Sequence, residues 1–418
     1  MFFMNILVVQ YAFRNLLRYK RRSLLTIGTV ALSAIVTIVG FQYADSVLAV
    51  WKQGAIDHGA GHVQIHSREF YLKPDVLSEA TLLEDGNPVE KVLNDNPQVF
   101  GLAKRVLFEG IISLGRKSMY FQGRGIDVQG ESIVSPGIFQ QDVISGIFVE
   151  KGNLRGITIG KGLAESLDAK VGDEVTLMTN TLGGSVNGID VTVTGILDFP
   201  VPMVSKRMLY MNIEFAQKAL GFREKYSEIA IRLSDKVDPE LWLSEFIKEN
   251  HFYSRWPSFD IRGWWKIEPL IRRVQDIWHS IMGVIIVLLF STAAASVLNI
   301  VYLLVAERMV EIGTLMSLGA KPPMIIALFA MEGAAIGVIG SLFGALIANF
   351  ILLFLYSRGI PFDSPFASGV LTIYPQPSLF FSLFVFFFGV AICFFSAIFP
   401  AHRASKIPPI AAFRGQMT

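Results

Sequence analysis

The placement of apolar residues constrains this chain more than any motif does. Four segments are long and apolar enough to cross a bilayer: Leu24–Ala44 stands alone, while Ile281–Val305, Met324–Tyr356 and Leu379–Phe399 fill the last third. At 1.5 Å rise per residue, ~20 residues span the hydrocarbon core. The third exceeds that length and is expected to tilt or to project beyond the core. About 230 residues separate the first segment from the second, and they are polar enough for an ordinary extramembrane domain. The 1 + 3 layout excludes an ordinary soluble enzyme and describes a membrane protein with one large head.

Composition and charge agree. Of 418 residues, 52% are hydrophobic and 17% charged, too apolar for a soluble chain and too charged for one wholly in the membrane. From Ser46 to His279 there are 26 Lys/Arg against 30 Asp/Glu, a charge of −4, and the remainder carries +6. A mildly acidic head on a basic membrane part argues against a nucleic-acid partner. The single cysteine, Cys393, lies in an apolar run, so the head has no disulfide.

Basic residues set the expected orientation. Arg14, Arg18, Lys20, Arg21 and Arg22 precede the first span. Arg308 and Lys321 lie between the second and third, and Arg403, Lys406 and Arg414 follow the fourth. By the positive-inside rule both termini and the Glu307–Lys321 connection are cytoplasmic and the head is outside. The first span is too long for a signal-peptide core and reads as an uncleaved anchor.

Strand-like runs with turn punctuation mark the head as α+β. Val171–Leu177 and Asp190–Leu197 read as a β-hairpin with a long tip, Thr179–Gly188. Further strands are expected at Ser118–Gln122, Met208–Met211 and Glu228–Leu233, and helices at Lys161–Leu167, Ile213–Leu220 and Pro239–Asn250. Ile267–Ser280 reads as an amphipathic helix leading into the second span, with Trp264, Trp265 and Trp278 at the outer interface.

No G-x-x-x-x-G-K-[ST] phosphate loop is present. Gly160-Lys161-Gly162 and Gly123-Arg124-Gly125 are too short to cradle phosphates and are expected in turns. His58, His62 and His66 have helical spacing, but the Gly and Val/Ile residues between them indicate a loop and a strand, so no metal is expected. No nucleophile–base arrangement is visible, and the chain reads as non-catalytic.

Three segments remain as functional candidates. In Glu307–Lys321, Val310, Leu315 and Leu318 with Ile312 suggest an apolar stripe on a short helix that Gly319 ends, before Pro322-Pro323 opens the next. In the third span, Gly333, Gly337, Gly340 and Gly344 have the spacing of close helix packing. Glu332, the only acid in that span, is a functional candidate because charge within a membrane is costly, though so near the cytoplasmic end it reads instead as reaching water or a backbone partner. The Phe380–Phe395 run is expected to face lipid. The third candidate is the hairpin tip, Thr179, Asn180, Leu182, Gly183, Gly184 and Asn187.

The stretch ERMVEIGTLMSLGAKPPMIIALFAMEGAAIGVIGSLFGALIANF resembles the signature region of the FtsX-like permease superfamily, membrane subunits of the mechanotransmission class of ABC transporters. YAFRNLLRYKRRSLLTIGTVALSAI resembles the family's opening helix and first span, and FPAHRASKIPPIAAFRG its C-terminal tail. GITIGKGLAESLDAKVGDEVTLM and DVTVTGIL resemble the MacB-type periplasmic core domain. The resemblance implies four transmembrane helices with a large α+β periplasmic domain inserted between the first and second. Its parts would be 1–45 (an amphipathic helix and first span), 46–279 (the periplasmic domain) and 280–418 (the FtsX-like part), in a bacterial inner membrane. It implies no cofactor in this chain, with ATP and Mg held by separate ATPase subunits, and a second permease copy or paralogue.

In that family pattern Glu307, Arg308 and Glu311 lie at the ATPase surface, with Leu315 and Leu318 packed beneath and Gly319 closing the helix. The N-terminal helix Gln10–Tyr19 lies along the inner face. Four spans without a fused ATPase resemble the lipoprotein-releasing (Lol) permeases most. That implies extraction of lipidated cargo through an apolar cavity lined by spans one and two, and transfer to a periplasmic carrier. The tip of the hairpin lacks the arginine and proline character of a carrier-binding hook. A tripartite efflux permease for drugs or peptides, or a scaffold activating a cell-wall hydrolase, are the alternatives.

Overall fold

The computed structural model describes residues 20–72, 77–140, 143–150, 152–198, 202–363 and 370–406. The expected N-terminal helix Gln10–Tyr19, with Arg14 and Arg18, and the tail containing Arg414 lie outside the described residues. Helices of seven residues or more are α1 (Lys20–Ala55), α2 (Pro88–Asn94), α3 (Val128–Val134), α4 (Lys161–Leu167) and α5 (Ile213–Leu220). They continue as α6 (Pro239–Glu249), α7 (Pro269–Glu307), α8 (Met309–Ser317), α9 (Pro322–Arg358) and α10 (Leu379–Ala404). Four of them, α1, α7, α9 and α10, are long and apolar enough to cross a membrane.

All four outrun the spans read from sequence, α1 and α7 by the widest margin. The first apolar segment is the middle of a 36-residue helix, α1. The amphipathic Ile267–Ser280 stretch and the second span are one 39-residue helix, α7. Pro269 suits the first turn of α7, and no later proline or capping glycine interrupts it.

The chain divides into two compact units. One contains the residues up to Leu48, Gln275–Ile360 and those from Thr372 onward; the other contains Ala49–Val274 and Pro361–Leu371. The first unit is built inside out relative to a soluble protein. Its interior uses many small or slender side chains, among them Ala34, Ala293, Ala348, Ala397 and Ala401, with Val297, Val301 and Ile336. Its outer surface carries Leu25, Phe350 and Phe380 at 72%, 72% and 85% exposure. Water would penalise that surface, whereas hydrocarbon solvates it at no cost. The Phe380–Phe395 run divides: Phe380, Phe384, Phe387 and Phe395 are exposed. Phe381 instead stacks on Phe41 and Phe388 meets Phe290 edge-on. Interhelical polar contacts include Ser33 Oγ donating to Leu289 O at 3.1 Å.

The second unit is α+β. Its strands are β1 (Val63–Ser67), β2 (Leu83–Glu84), β3 (Val99–Leu114), β4 (Lys117–Ile126), β5 (Val143–Gly146) and β6 (Gly156–Gly160). They are followed by β7 (Glu174–Asn180), β8 (Val186–Leu197), β9 (Met208–Asn212), β10 (Lys225–Tyr226), β11 (Glu228–Leu233) and β12 (Phe259–Gly263). The long hairpin β3–β4 organises it. From β4 the pairing runs to β9, β6, β8 and β7, and β7 returns to β3 between Gly110↔Thr179 and Ser113↔Thr176. Six strands thus close a ring and leave no edges among themselves. Its core includes Ile112, Phe121, Ile159, Leu177, Val193 and Leu209, all at 0% exposure. The other end of β3 pairs with β11, which leads through β1 to β12. One 16-residue strand therefore belongs both to the ring and to a flat extension.

Gly123-Arg124-Gly125 does not form a turn. It lies within β4, where a Cβ at Gly123 would fall on the Phe108 ring and one at Gly125 would lie 2.5 Å from Ala216 Cβ. The glycines serve close packing across the sheet. Gly160 ends β6 and caps α4, and Lys161 and Gly162 open that helix, so this trio passes from strand to helix without the turn expected there.

The histidines read as non-ligands have other partners. His62 Nδ1 accepts the Leu233 N–H at 3.0 Å, so that nitrogen must stay unprotonated. Burial, followed by the nearby Arg232 and Lys52 charges, lowers its pKa to about 4. His66 stacks on Phe70 and is also held neutral chiefly by burial. A histidine with a depressed folded pKa stabilises the fold above its unfolded pKa of ~6.5, and that contribution is lost as pH falls toward the folded value. The head should therefore lose at most about 3 kcal/mol through His62 between pH 6.5 and 4. Thermal melts of the chain across that range should show a falling midpoint. His62→Asn, whose side-chain oxygen accepts the same N–H, should flatten the slope; an unchanged slope would exclude His62 as its source.

Candidate functional site

The connection between α7 and α9 is a compact helical turn. Glu307 ends α7 and pairs with Arg22 of α1 at 2.6 Å. Arg308 precedes α8 with φ −108° and is buried, as are Met309, Ile312 and Gly313; Leu315 and Met316 pack partly against the same core. Met309, Ile312, Gly313 and Met316 follow i, i+3, i+4, i+7, the spacing of one helix face. The opposite face bears Val310, Glu311, Thr314 and Leu318, all exposed, with Leu318 at 81%. At the end, Gly319 takes φ +94°, and the Ala320 N–H reaches Leu315 O at 3.0 Å, closing the helix.

Two expectations are corrected here. Leu318 is not packed beneath the helix, because it lies outside the buried i, i+3, i+4, i+7 face and projects from the last turn. Arg308 is not on the surface: it is 4% exposed, in the interior of the unit. Glu332, expected to reach water or a backbone partner, does not reach water: it is 1% exposed within α9.

The four glycines of α9 face two different helices. A Cβ at Gly333 would lie 2.6 Å from Ala397 Cβ, and one at Gly337 2.9 Å from Val390 Cα, both in α10. A Cβ at Gly340 would lie 2.8 Å from Val30 Cβ, and one at Gly344 2.7 Å from Ala31 O, both in α1. Each pair offers a groove to its neighbour.

The hairpin tip is shorter than read from sequence. The β7–β8 ladder continues to Asn180↔Val186 and leaves Thr181–Ser185 as the tip. Thr179 is buried and donates to Glu109 O at 2.9 Å. The Leu182 N–H donates to Leu220 O at 2.9 Å, and Asn187 Nδ2 to Ala219 O at 2.8 Å. Of Thr181–Ser185, Gly183, Gly184 and Ser185 are exposed and the other two partly buried. The end of α5 thus holds the segment as part of the head wall, a long-range pairing that local sequence does not report.

Four helices long and apolar enough to cross a membrane thus share this chain with an α+β unit, and a short helix with one exposed face joins two of them. Residues 23–247 match the MacB-like periplasmic core domain and residues 283–409 the FtsX-like permease C-terminal domain. The chain belongs to the FtsX/MacB-type family of ABC transporter permeases. It is 25% identical over 336 residues to the lipoprotein-releasing system transmembrane protein LolE of Haemophilus influenzae, covering 77% of this chain and 79% of that one. To LolC of Xylella fastidiosa it is 22% identical over 428 residues, covering 95% and 96%. The periplasmic region of MacB from Actinobacillus actinomycetemcomitans superposes at 12% identity and a TM-score of 0.37, over 52% of this chain and 94% of that one.

The glycine contacts yield a direct test. Gly337→Leu should force α10 away from α9, costing on the order of 1–3 kcal/mol, and should open buried Cys393, which a Cβ at Gly337 would crowd. Maleimide labelling of Cys393 in detergent should be slow in the parent and fast in the variant. Equal rates would mean that the two helices are not held at this contact.

Proposed function

We propose that this chain is the permease subunit of a mechanotransmission-type ABC transporter that extracts lipidated cargo, most directly lipoproteins, from the outer leaflet of the inner membrane. ATP and Mg are held by a separate ATPase subunit, and a second permease copy or paralogue completes the assembly. In this reading both termini and the Glu307–Lys321 connection face the cytoplasm, with the head periplasmic. The parts are 1–45, 46–279 and 280–418. The relatives named as lipoprotein-releasing proteins support the choice of cargo, as do the exposed apolar side chains of α1 (Leu24, Leu25, Leu32) and α7 (Val284, Val287, Leu288). Such surfaces accept acyl chains leaving water at about 0.8 kcal/mol per CH₂.

The observation that carries the reading is the two-faced α8. One face is buried through Met309, Ile312 and Gly313, while Val310, Glu311, Thr314 and Leu318 are exposed. A helix bound to its own subunit on one side and offering apolar and acidic groups on the other suits the transfer of force from an ATPase. Gly319 lets the chain turn directly into α9.

Affinity purification of the chain from its native membrane, with mass spectrometry of what accompanies it, tests the assignment. Co-purification of an ATPase with acylated lipoproteins is expected. An ATPase accompanied by an outer-membrane tunnel or a cell-wall hydrolase, and no lipoprotein, would replace the extraction reading. Leu318→Asp provides the second test. Because Leu318 is exposed, stability should change by no more than about 0.5 kcal/mol, whereas coupling of ATP hydrolysis to cargo release should be lost. Normal release by this variant would remove α8 from the coupling path.

A further inference from the structure

The first apolar helix passes into the head through a joint. After Ala55 the backbone widens into a π-type turn, Ile56–Ala60, in which His58 and Gly59 leave helical geometry and Gly59 takes φ +134°. Gly54, Gly59 and Gly61 surround this turn. Left alone, such a segment would be a soft hinge, with carbonyls that the helix no longer satisfies.

The head removes that softness with a buried charge cluster. Arg105 of β3 is 0% exposed. Its Nη1 donates to Gly59 O at 2.6 Å and also pairs with Glu228 of β11. Its Nε and Nη2 fork onto the Glu131 carboxylate of α3 at 2.7 and 2.8 Å, and Nη2 also donates to Ser135 Oγ at 3.0 Å. The second oxygen of Glu228 lies 3.5 Å from His66 Nε2 of β1.

Other groups hold the same turn. Arg232 Nη1 pairs with Asp57 at 2.6 Å, and Gln64 Nε2 donates to Ala60 O at 2.9 Å. There is no slack around the backbone. A Cβ at Gly59 would fall on the Arg124 guanidinium, and one at Gly61 would lie 3.1 Å from Ile231 O.

Stability alone does not account for this arrangement. Burying a guanidinium and two carboxylates carries a large desolvation penalty, and apolar replacements of similar volume are often equally stable. An apolar plug cannot supply a directional donor to Gly59 O while its other nitrogens are fixed by a carboxylate fork. We propose that Arg105 is a positioning residue that clamps the end of the first apolar helix to the head sheet. Displacement of the Ala49–Ala60 segment is then delivered to β3, β11 and α3 instead of being absorbed in the turn. The use made of that displacement rests on the transporter reading; the clamp itself is a property of this chain.

Pulsed EPR on the full-length chain in its complex tests the clamp. Spin labels would be placed at Gln53→Cys and Gln122→Cys in a Cys393→Ser background. The parent should give a narrow distance distribution without nucleotide. Arg105→Met should broaden it, and Arg105→Lys should do so in part, because an ammonium keeps the charge but not the fork. A triple variant, Arg105→Met with Glu131→Leu and Glu228→Leu, guards against simple misfolding. Its thermal midpoint should stay near that of the parent while the distribution remains broad. A narrow, parent-like distribution in the triple variant would overturn the proposal and leave the cluster a filling of the core. Vanadate-trapped ATP should shift a head reporter in the parent and not in the folded variants. Absence of that shift in the parent would count against the transporter reading alone, since the nucleotide-free widths decide the clamp.

Discussion

Close approach of helix backbones is the constraint on which the membrane unit depends. Where the surroundings are hydrocarbon, burying leucine against leucine gains little over leaving it in lipid, and the stabilisation must come from packing and interhelical hydrogen bonds. The four glycines of α9 meet that demand in two directions, with Gly333 and Gly337 against α10 and Gly340 and Gly344 against α1. With α9 seated between two neighbours, large side chains such as Phe350 and Phe380 face outward, while Phe290 and Phe329 remain buried. The turn that precedes α9 is held in turn, because Met309 and Ile312 are buried in the same unit.

The head solves a different problem, a water-exposed sheet that must neither fray nor hinge. Closing β3, β4, β9, β6, β8 and β7 into a ring removes the edges of six strands. The extension through β11, β1 and β12 then grips the turn after α1. Arg105 sits where the two parts of β3 diverge, so one side chain touches α3, β11 and the Gly59 carbonyl together. A rigid wall and a rigid joint are what a head must have if movement at one end is to appear at the other.

Much of the architecture was legible in the sequence. Apolar runs report spans because nothing else explains some twenty consecutive apolar residues. The Val/Thr alternation of Asp190–Leu197 reported β8 because the pleat has a period of two. The i, i+4 glycines pointed to close packing because a missing Cβ has few other uses in a span. Misreadings arose where partners are distant in sequence. Leu318 looked like core because it is apolar, but which face of a short helix is buried depends on what lies beside it. The tip of the hairpin looked long because its glycines and asparagine suggest a loop, whereas α5 holds Leu182 and Asn187 in the wall. Arg105 carried no local signal, since Glu131 and Glu228 lie 26 and 123 residues away.

What the sequence determined by itself was the four segments long and apolar enough to cross a membrane and the α+β character of the head. Both follow from composition and periodicity, which are local properties, while particular stretches carried the resemblance to a permease family. What only the tertiary structure decided was orientation within each unit: which glycine pair meets which helix, which face of α8 is open, and which carboxylates neutralise Arg105. Those are set by contacts between residues far apart in the chain, whose energies depend on geometry to within an ångström and leave little trace in the order of the residues.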